Sequence, residues 1–197
     1  MGTTGNHRRR AVFLDRDGVI NRNDLNPATG EFEAPLTPDD FDLLPGTLDA
    51  LRVLRSARLL LFLVSNQPNI AKGKSTPEQL ESIHQKFLST LTQTRIEFAH
   101  FYYCFHHPQG IVSAYSGPCE CRKPSPYFLL KAASEFNLDL SPSWMIGDRP
   151  TDIQCGRSAG TRTIFIHPAQ SQPEAAIQPD RIARDLLTAA QQILSTG

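Results

Sequence analysis

Two aspartates, Asp15 and Asp17, directly follow the first apolar run of the chain and precede Gly18. Carboxylate oxygens are ligands that Mg²⁺ prefers, and a carboxylate can also attack phosphorus to form an aspartyl-phosphate. Ligands of open parallel sheets bind beyond the carboxyl ends of the strands, where this pair is expected to lie. The alternative is a solvated Asp-x-Asp-Gly turn, which this short motif does not exclude by itself.

Two later segments carry groups that suit a phosphate. Ser65 and Asn66 follow the second apolar run, and a hydroxyl and an amide there can donate hydrogen bonds to phosphate oxygens. Arg122 and Lys123 precede a predicted helix, and Lys123 can neutralise a phosphate or a carboxylate nucleophile. Taken singly, the first segment also fits an ordinary strand-end turn and the second a surface basic pair.

A further acidic pair follows a short apolar run near residue 146. Asp148 comes directly after Gly147, and Asp152 stands four residues later at a predicted helix start. The order strand, glycine, aspartate predicts Asp148 as a metal ligand at the same sheet edge as Asp15, with Asp152 in support. Acids at a helix start also suit the helix dipole, which is the structural alternative.

The cysteines point to a second metal. Three of the four cluster with histidine in the pattern Cys-x-His and Cys-x-Cys, a tetrahedral set suited to structural zinc. The predicted ligands are Cys104, His106, Cys119 and Cys121. His107 is the alternative histidine, and a disulfide or a chance cluster is the competing interpretation. Cys155 is expected to pack as a small apolar residue.

Short apolar runs alternate with helical patterns along the chain, which predicts an α/β doubly wound parallel sheet. Thr76, Pro77 and Gln79 form a predicted capping box, and Gly160 is a predicted helix stop. The predicted strands are 11–14, 59–64, 98–105, 144–146 and 163–166; the predicted helices are 47–57, 76–91, one opening at 125–126, 150–159 and 182–194.

Composition narrows the function classes. Basic and acidic residues number 20 each, so the formal net charge is zero, which argues against a nucleic-acid surface. The longest apolar run, 59–64, falls far short of the roughly 20 residues of a membrane span. We expect a cytoplasmic monomer. The predicted organisation is a disordered arm over 1–10 followed by one domain over 11–197. Within this domain we expect a zinc-loop insertion at about 104–124 and a long polar segment over 22–44.

The ordered set of motifs resembles the haloacid dehalogenase superfamily of phosphohydrolases, over about residues 11–167. The resemblance implies a fold without a large cap domain and assigns Asp15 as nucleophile and Asp17 as general acid and base. It also implies that Ser65 binds phosphate and Lys123 steadies the phosphoryl group. The implied Mg²⁺ ligands are Asp15, Asp17 and Asp148, with Asp152 supporting them.

The zinc loop leading into Arg122-Lys123-Pro124 further resembles the heptose bisphosphate phosphatases and, with a shorter loop, the histidinol phosphatase domains. This implies a phosphorylated sugar as substrate, with its C7 phosphate removed, and substrate contacts from Asn66, Arg122 and Lys123. Histidinol phosphate or another small phosphomonoester is the alternative substrate. A noncatalytic zinc-binding interaction module is the alternative from a different class.

Overall fold

The central element of the fold is a six-stranded parallel sheet. The computed structural model describes residues 8–25, 30, 32–167 and 178–195. The strands of this sheet are β1 Ala11–Leu14, β4 Leu60–Asn66, β5 His100–Cys104, β6 Trp144–Gly147, β7 Arg162–Ile166 and β8 Arg181–Ala183. Their order across the sheet is β5-β4-β1-β6-β7-β8. Strands covered on both faces read as continuous apolar runs, and all four residues of β1 are buried.

Helices cover both faces of this sheet, as the doubly wound prediction requires. They are α1 Thr47–Ser56, α2 Pro77–Thr94, α3 Tyr127–Phe136, α4 Pro150–Ala159 and α5 Leu186–Leu194. Side chains alternate along a strand, so Val12 and Leu14 pack in one core with α1, α2 and α5. Ala11 and Phe13 face the other core, which α3 and α4 cover. The predicted fold class is confirmed.

Several local predictions are also confirmed. Thr76 caps α2, its hydroxyl accepting from the Gln79 backbone N–H while the Gln79 side chain accepts from the Thr76 N–H. Helix α4 has the predicted bounds and ends at Gly160, whose φ of 82° is the left-handed conformation that glycine adopts readily. These features depend on neighbouring residues, which is why the sequence pattern located them.

Other predictions are wrong in their bounds. The predicted helix 182–194 is split into β8 and the shorter helix α5, with Asp185 accepting from the Thr188 N–H as its N-cap. The two-stranded antiparallel hairpin of β2 Asp24–Leu25 and β3 Phe32–Glu33 was not predicted within the polar segment. Strands of two or three residues are too short for an alternation pattern to show.

The predicted N-terminal arm and the polar segment after β1 are described only in part. Residues 1–7 of the predicted arm lie outside the described residues, while Arg9 exchanges backbone hydrogen bonds with Asn137 and Asp139. The described residues between β1 and α1 form turns and the β2–β3 hairpin rather than a cap domain. Among the described residues, no helix has the length and apolar character needed to cross a bilayer.

Candidate active site

The strand order places the first acidic motif at the point where the chain changes direction across the sheet. From β1 the chain passes to β4 and β5 on one side, and β6 lies on the other side of β1. In such sheets a crevice opens between the two neighbouring strands at their carboxyl ends. Asp15 follows β1 and Asp148 follows β6, so both lie at this crevice.

Three carboxylates meet there. Asp15, Asp148 and Asp152 each offer an oxygen, and these atoms lie within 4.8 Å of one another. Asp148 Oδ1 is buried and has no hydrogen-bond partner among the described residues. Clustered, under-satisfied carboxylate oxygens fit the ligand preference of Mg²⁺. Of the predicted ligands, Asp15 and Asp148 fit this site with Asp152 beside them.

Burial and mutual repulsion strain this cluster when no cation is present. Desolvation, together with the charges of Asp15 and Asp152, raises the pKa of Asp148 to about 8. Desolvation also raises the pKa of Asp15 to about 6, although the nearby Lys123 charge opposes this rise. A divalent cation would relieve both effects, because it favours the charged form of each carboxylate.

Glycines allow the carboxylates to approach the backbone. A Cβ atom at Gly18 would lie 2.1 Å from Asp148 Oδ2, and one at Gly147 would lie 2.1 Å from Asp152 Cβ. Gly18 also has a φ of 86°, which other residues adopt at a cost. The glycines next to the aspartates are therefore needed for the cluster to close.

Lys123 is the cation of the cluster. Its ammonium lies 2.9 Å from Asp15 Oδ1 and 2.7 Å from Asp152 Oδ1, and it donates to the Val64 carbonyl at 2.8 Å. The residue is 3% exposed. Desolvation lowers its pKa, but the charges of Asp15 and Asp152 outweigh that effect and raise it, so the ammonium stays charged.

Asn66 holds the Lys123 backbone in place. Its Nδ2 donates to the Lys123 carbonyl and its Oδ1 accepts from the Lys123 N–H, both at 3.1 Å. The Asn66 side chain also lines the cavity described below. Asn66, predicted to contact the substrate, therefore also positions Lys123, which comes 57 residues later in the chain.

Asp17 lies at the crevice but outside the carboxylate cluster. Its two oxygens accept from Arg16 Nε at 3.0 Å, Arg16 Nη2 at 3.2 Å, Asn21 Nδ2 at 3.0 Å and Gln67 Nε2 at 2.6 Å. The Asp17 carboxylate is not part of the group formed by Asp15, Asp148 and Asp152, so its role as a Mg²⁺ ligand stays a prediction.

A cavity of about 470 Å³ opens over these groups. Asp15, Asp17, Asn66, Arg122 and Lys123 are all among its lining residues, so it brings together most of the predicted site. Ser65 is buried beside it, and its Oγ accepts from Gln67 Nε2 at 2.9 Å. The further cations on the wall are Lys72, Lys74 and Arg149. A cavity with this many cations suits a substrate bearing phosphate.

The predicted zinc ligands also converge. The sulfur-to-sulfur distances are 3.5 Å between Cys104 and Cys119, 3.0 Å between Cys104 and Cys121, and 3.6 Å between Cys119 and Cys121. His106 Nδ1 lies 3.9 Å from Cys121 Sγ. Two thiolates each about 2.3 Å from a tetrahedral zinc ion lie roughly 3.8 Å apart, so this set of donors fits zinc.

The structure also separates the alternatives for this loop. All four cysteines are free thiols, so the disulfide alternative finds no support. His107 Nδ1 accepts from the Gln109 N–H at 3.1 Å rather than joining the sulfur cluster. Arg122 Nη1 donates to the His106 carbonyl at 3.1 Å, which ties the loop to a cation of the cavity. Cys155 is buried, as predicted.

Two site residues were missed at the sequence level. Arg16 and Gln67 contact Asp17 and are 1% and 3% exposed. Each stands inside a motif that was recognised, next to Asp15 and to Asn66. The available signal for Arg16 was a charged residue two positions after a buried strand, which must find a partner when it is buried, whereas the uncharged Gln67 carried no such signal.

Comparison with known proteins decides the family. The chain is 37% identical over 170 residues to the D-glycero-beta-D-manno-heptose-1,7-bisphosphate 7-phosphatase of Yersinia pestis, covering 84% of this chain and 86% of that protein. The chain belongs to the heptose-1,7-bisphosphate 7-phosphatase family. The Escherichia coli K12 member is 35% identical over 185 residues, covering 93% of both chains.

Solved structures and a family model agree with this membership. The D,D-heptose 1,7-bisphosphate phosphatase of B. bronchiseptica, crystallised with magnesium and phosphate, superposes with a TM-score of 0.77 at 28% identity. The match covers 95% of this chain and 99% of that one. Residues 120–189 also match the HAD-hydrolase-like family model. This member of the heptose-1,7-bisphosphate 7-phosphatase family is thus a phosphomonoesterase with the fold of the HAD hydrolases, as the sequence predicted.

Proposed function

We propose that this phosphatase removes the C7 phosphate of D-glycero-D-manno-heptose 1,7-bisphosphate through an aspartyl-phosphate on Asp15. The observation that carries the proposal is the position of Asp15 at the floor of a cation-lined cavity, held at Oδ1 by Lys123. The names of the family members support the substrate. A bisphosphate also suits the several cations on the cavity wall.

The first step is attack by Asp15 on phosphorus. The Arg16 N–H and Lys123 both contact Oδ1, at 2.7 and 2.9 Å, so Oδ2 is the oxygen we assign to the attack. A bond forms between Asp15 and phosphorus while the bond from phosphorus to the C7 oxygen breaks. Phosphoryl transfer depends mainly on positioning and charge neutralisation, which Lys123 and the cavity cations supply.

Asp17 is the proton donor and acceptor in this proposal. It gives a proton to the C7 oxygen as that oxygen leaves. A water molecule then attacks the phosphorus of the aspartyl-phosphate and passes a proton back to Asp17. The bond between phosphorus and Asp15 breaks, which releases inorganic phosphate and restores the Asp15 carboxylate and the protonated carboxyl of Asp17.

Ser65, Asn66 and Arg122 complete the assignment. Asn66 and Arg122 line the cavity and are assigned to the substrate. Ser65 is assigned to bind the transferring phosphoryl group, and its Oγ accepts a hydrogen bond from Gln67 Nε2. Asn66 also fixes the backbone of Lys123, so its loss is expected to affect both substrate binding and the nucleophile.

Two metals belong to the proposal. Asp15 and Asp148 would hold Mg²⁺ with Asp152 in support, and the ion would neutralise charge on the phosphoryl group. Cys104, His106, Cys119 and Cys121 would hold structural zinc and so fix the loop that carries Arg122 and Lys123. The alternative of a noncatalytic zinc-binding module does not explain why the ion pair between Lys123 and Asp15 is buried beside a cavity.

The test combines one substitution with a substrate panel. Asp15→Asn is expected to lose at least about 10³-fold in kcat/KM, since the nucleophile is removed. Asp49→Asn, on an exposed face of α1 and 69% exposed at its side chain, is the matched control and should retain full activity. Retained activity in Asp15→Asn would refute the mechanism.

The panel measures kcat/KM for heptose 1,7-bisphosphate, histidinol phosphate and other small phosphomonoesters. We expect heptose 1,7-bisphosphate to give the highest value, with release of the C7 phosphate confirmed by identifying the remaining monophosphate. A higher value for histidinol phosphate would refute the substrate but leave the phosphatase mechanism intact. Zinc content near one per chain, in protein purified without chelator, tests the loop assignment.

A further inference from the structure

Arg16 is the largest side chain that is fully buried in the described residues, and it is charged. It stands between Asp15 and Asp17 in the chain, and its guanidinium binds Asp17 at two points, through Nε at 3.0 Å and Nη2 at 3.2 Å. Burying a guanidinium is costly unless it is paired, so a feature of this kind requires a reason.

The position of Arg16 excludes a direct contact with substrate. Asp17 lines the cavity, whereas Arg16 is 1% exposed and is not among the lining residues. The Arg16 side chain also interacts with Tyr103, whose hydroxyl is 3.0 Å from His84 Nδ1. A cation that substrate cannot reach does not bind phosphate, so its effect must pass through Asp17.

Gln67 completes a closed arrangement around the same carboxylate. Its Nε2 donates to Asp17 Oδ2 at 2.6 Å and to Ser65 Oγ at 2.9 Å. Its Oε1 accepts from Arg16 Nη2 at 3.1 Å. Gln67 therefore links Ser65 of β4 to Arg16 and Asp17, which follow β1. These hydrogen bonds connect the ends of two different strands.

We propose that Arg16 and Gln67 are positioning residues that together fix the plane and direction of the Asp17 carboxylate for both proton transfers. This inference rests on the proposed function, since it acts through Asp17. A bidentate guanidinium holds a carboxylate in one orientation, and Gln67 prevents rotation about the remaining axis. Proton transfer requires a heavy-atom distance of about 2.6–3.2 Å, so a carboxylate free to turn spends less time in reach.

The test uses leaving groups that differ in their need for a proton. An alkyl phosphate such as heptose 1,7-bisphosphate needs its leaving oxygen protonated, whereas p-nitrophenyl phosphate does not. The value of kcat/KM reports the steps up to the first irreversible one, which is phosphoryl transfer to Asp15. General acid catalysis contributes about 10²–10⁴-fold, and this sets the range of the effect on the alkyl ester.

Arg16→Lys keeps the charge but loses the two-point contact, and Gln67→Met keeps the volume but loses the hydrogen bonds. We expect each to lower kcat/KM for the alkyl ester by roughly 10–100-fold and for p-nitrophenyl phosphate by less than about threefold. Asp17→Asn sets the reference pattern. The matched control is Arg52→Lys, at a surface arginine that pairs with Asp49. It should leave kcat/KM unchanged for both esters.

A second measurement addresses the hydrolysis step. With p-nitrophenyl phosphate, a misdirected Asp17 should slow hydrolysis of the aspartyl-phosphate and produce a burst of nitrophenol close to one equivalent.

In the Asp17→Asn background, adding Arg16→Lys should change kcat/KM for the alkyl ester by less than about twofold, because the two act through one group.

Equal losses on both esters would overturn the inference, since they indicate a structural role alone, and so would no loss on either. Unchanged zinc content and melting temperature show that each variant is folded; if Arg16→Lys does not fold, Gln67→Met carries the test. An active Asp15→Asn would refute the proposed function itself. An inactive Asp15→Asn with an unselective Arg16→Lys would refute only this inference.

Discussion

Replacing Asp148 with asparagine should stabilise the magnesium-free protein while destroying its activity. In the folded chain, burial and the neighbouring charges of Asp15 and Asp152 raise the pKa of Asp148 from 3.8 to about 8. The folded state then binds the proton more tightly than the unfolded state does. Stability is therefore lost as the pH rises from about 4 to about 8.

The magnitude follows from this shift. At pH 7 the unfolded carboxyl is ionised while the folded one still holds its proton, and each pKa unit is worth about 1.4 kcal/mol, so the cost is roughly 4 kcal/mol. Asparagine cannot ionise, but it leaves a buried polar group that costs about 1–3 kcal/mol. The net gain for Asp148→Asn is then about 1–3 kcal/mol, or roughly 2–12 °C in melting temperature.

The assay is thermal and urea unfolding at pH 5 and pH 7, in buffer without magnesium and without a chelator that would remove the proposed zinc. The stability advantage of Asp148→Asn should be about 2–3 kcal/mol smaller at pH 5 than at pH 7. The reason is that pH 5 lies only about one unit above the pKa of the unfolded carboxyl, so the cost of keeping the folded carboxyl protonated is smaller. Added Mg²⁺ should stabilise the unsubstituted protein and leave the variant unchanged. Asp49→Asn, on the surface, is the control for the loss of one negative charge.

The reasoning would be refuted by an Asp148→Asn protein no more stable than the unsubstituted one at pH 7 without magnesium. An advantage that stays constant between pH 5 and pH 7 would equally contradict it, since the gain would then come from packing. In either case the carboxylate cluster would not be strained as its geometry indicates.

Three further predictions concern the cations and the zinc loop. Lys123→Met should destabilise the protein by about 3–5 kcal/mol in urea, because it leaves two buried carboxylates without their cation; a loss below about 1 kcal/mol would contradict this. Cys121→Ser should lower the zinc content well below one per chain by elemental analysis, whereas Cys155→Ser should leave it unchanged. Lys74 pairs with Glu33 at 2.6 Å on the cavity wall, so Lys74→Met should raise KM by up to about fivefold with kcat unchanged; a fall in kcat instead would place this pair in the chemistry.

The elements with local signals were predictable. The capping box at Thr76, the stop at Gly160 and the buried run 11–14 each depend on residues a few positions apart, and the structure confirms them. The paired strands β2 and β3 and the short strand β8 were not found. Two- and three-residue strands are stabilised by their partners, so their own residues carry too little pattern.

Within the site, the identity of the chemical groups was predictable but their pairing was not. Asp15, Asp148 and the four zinc-loop residues converge as their types and spacing suggested. The Asp17 carboxylate lies outside the group of Asp15, Asp148 and Asp152 and instead accepts hydrogen bonds from Arg16 and Gln67, and no local pattern indicated these partners. The choice of His106 over His107 was likewise open, since the two are adjacent in sequence and differ only in the direction of their rings.

By itself the sequence determined the strand-and-helix alternation, the acidic motifs at strand ends and the donor types of two groups that could each hold a metal ion. These depend on side-chain chemistry and short-range spacing, which are written directly in the chain. Only the tertiary structure decided that Lys123 lies between Asp15 and Asp152, and that Asn66 holds it there. These contacts join residues that are 29 to 108 positions apart, so they depend on strand order and burial, and a buried cation meets its carboxylates only once the sheet has assembled.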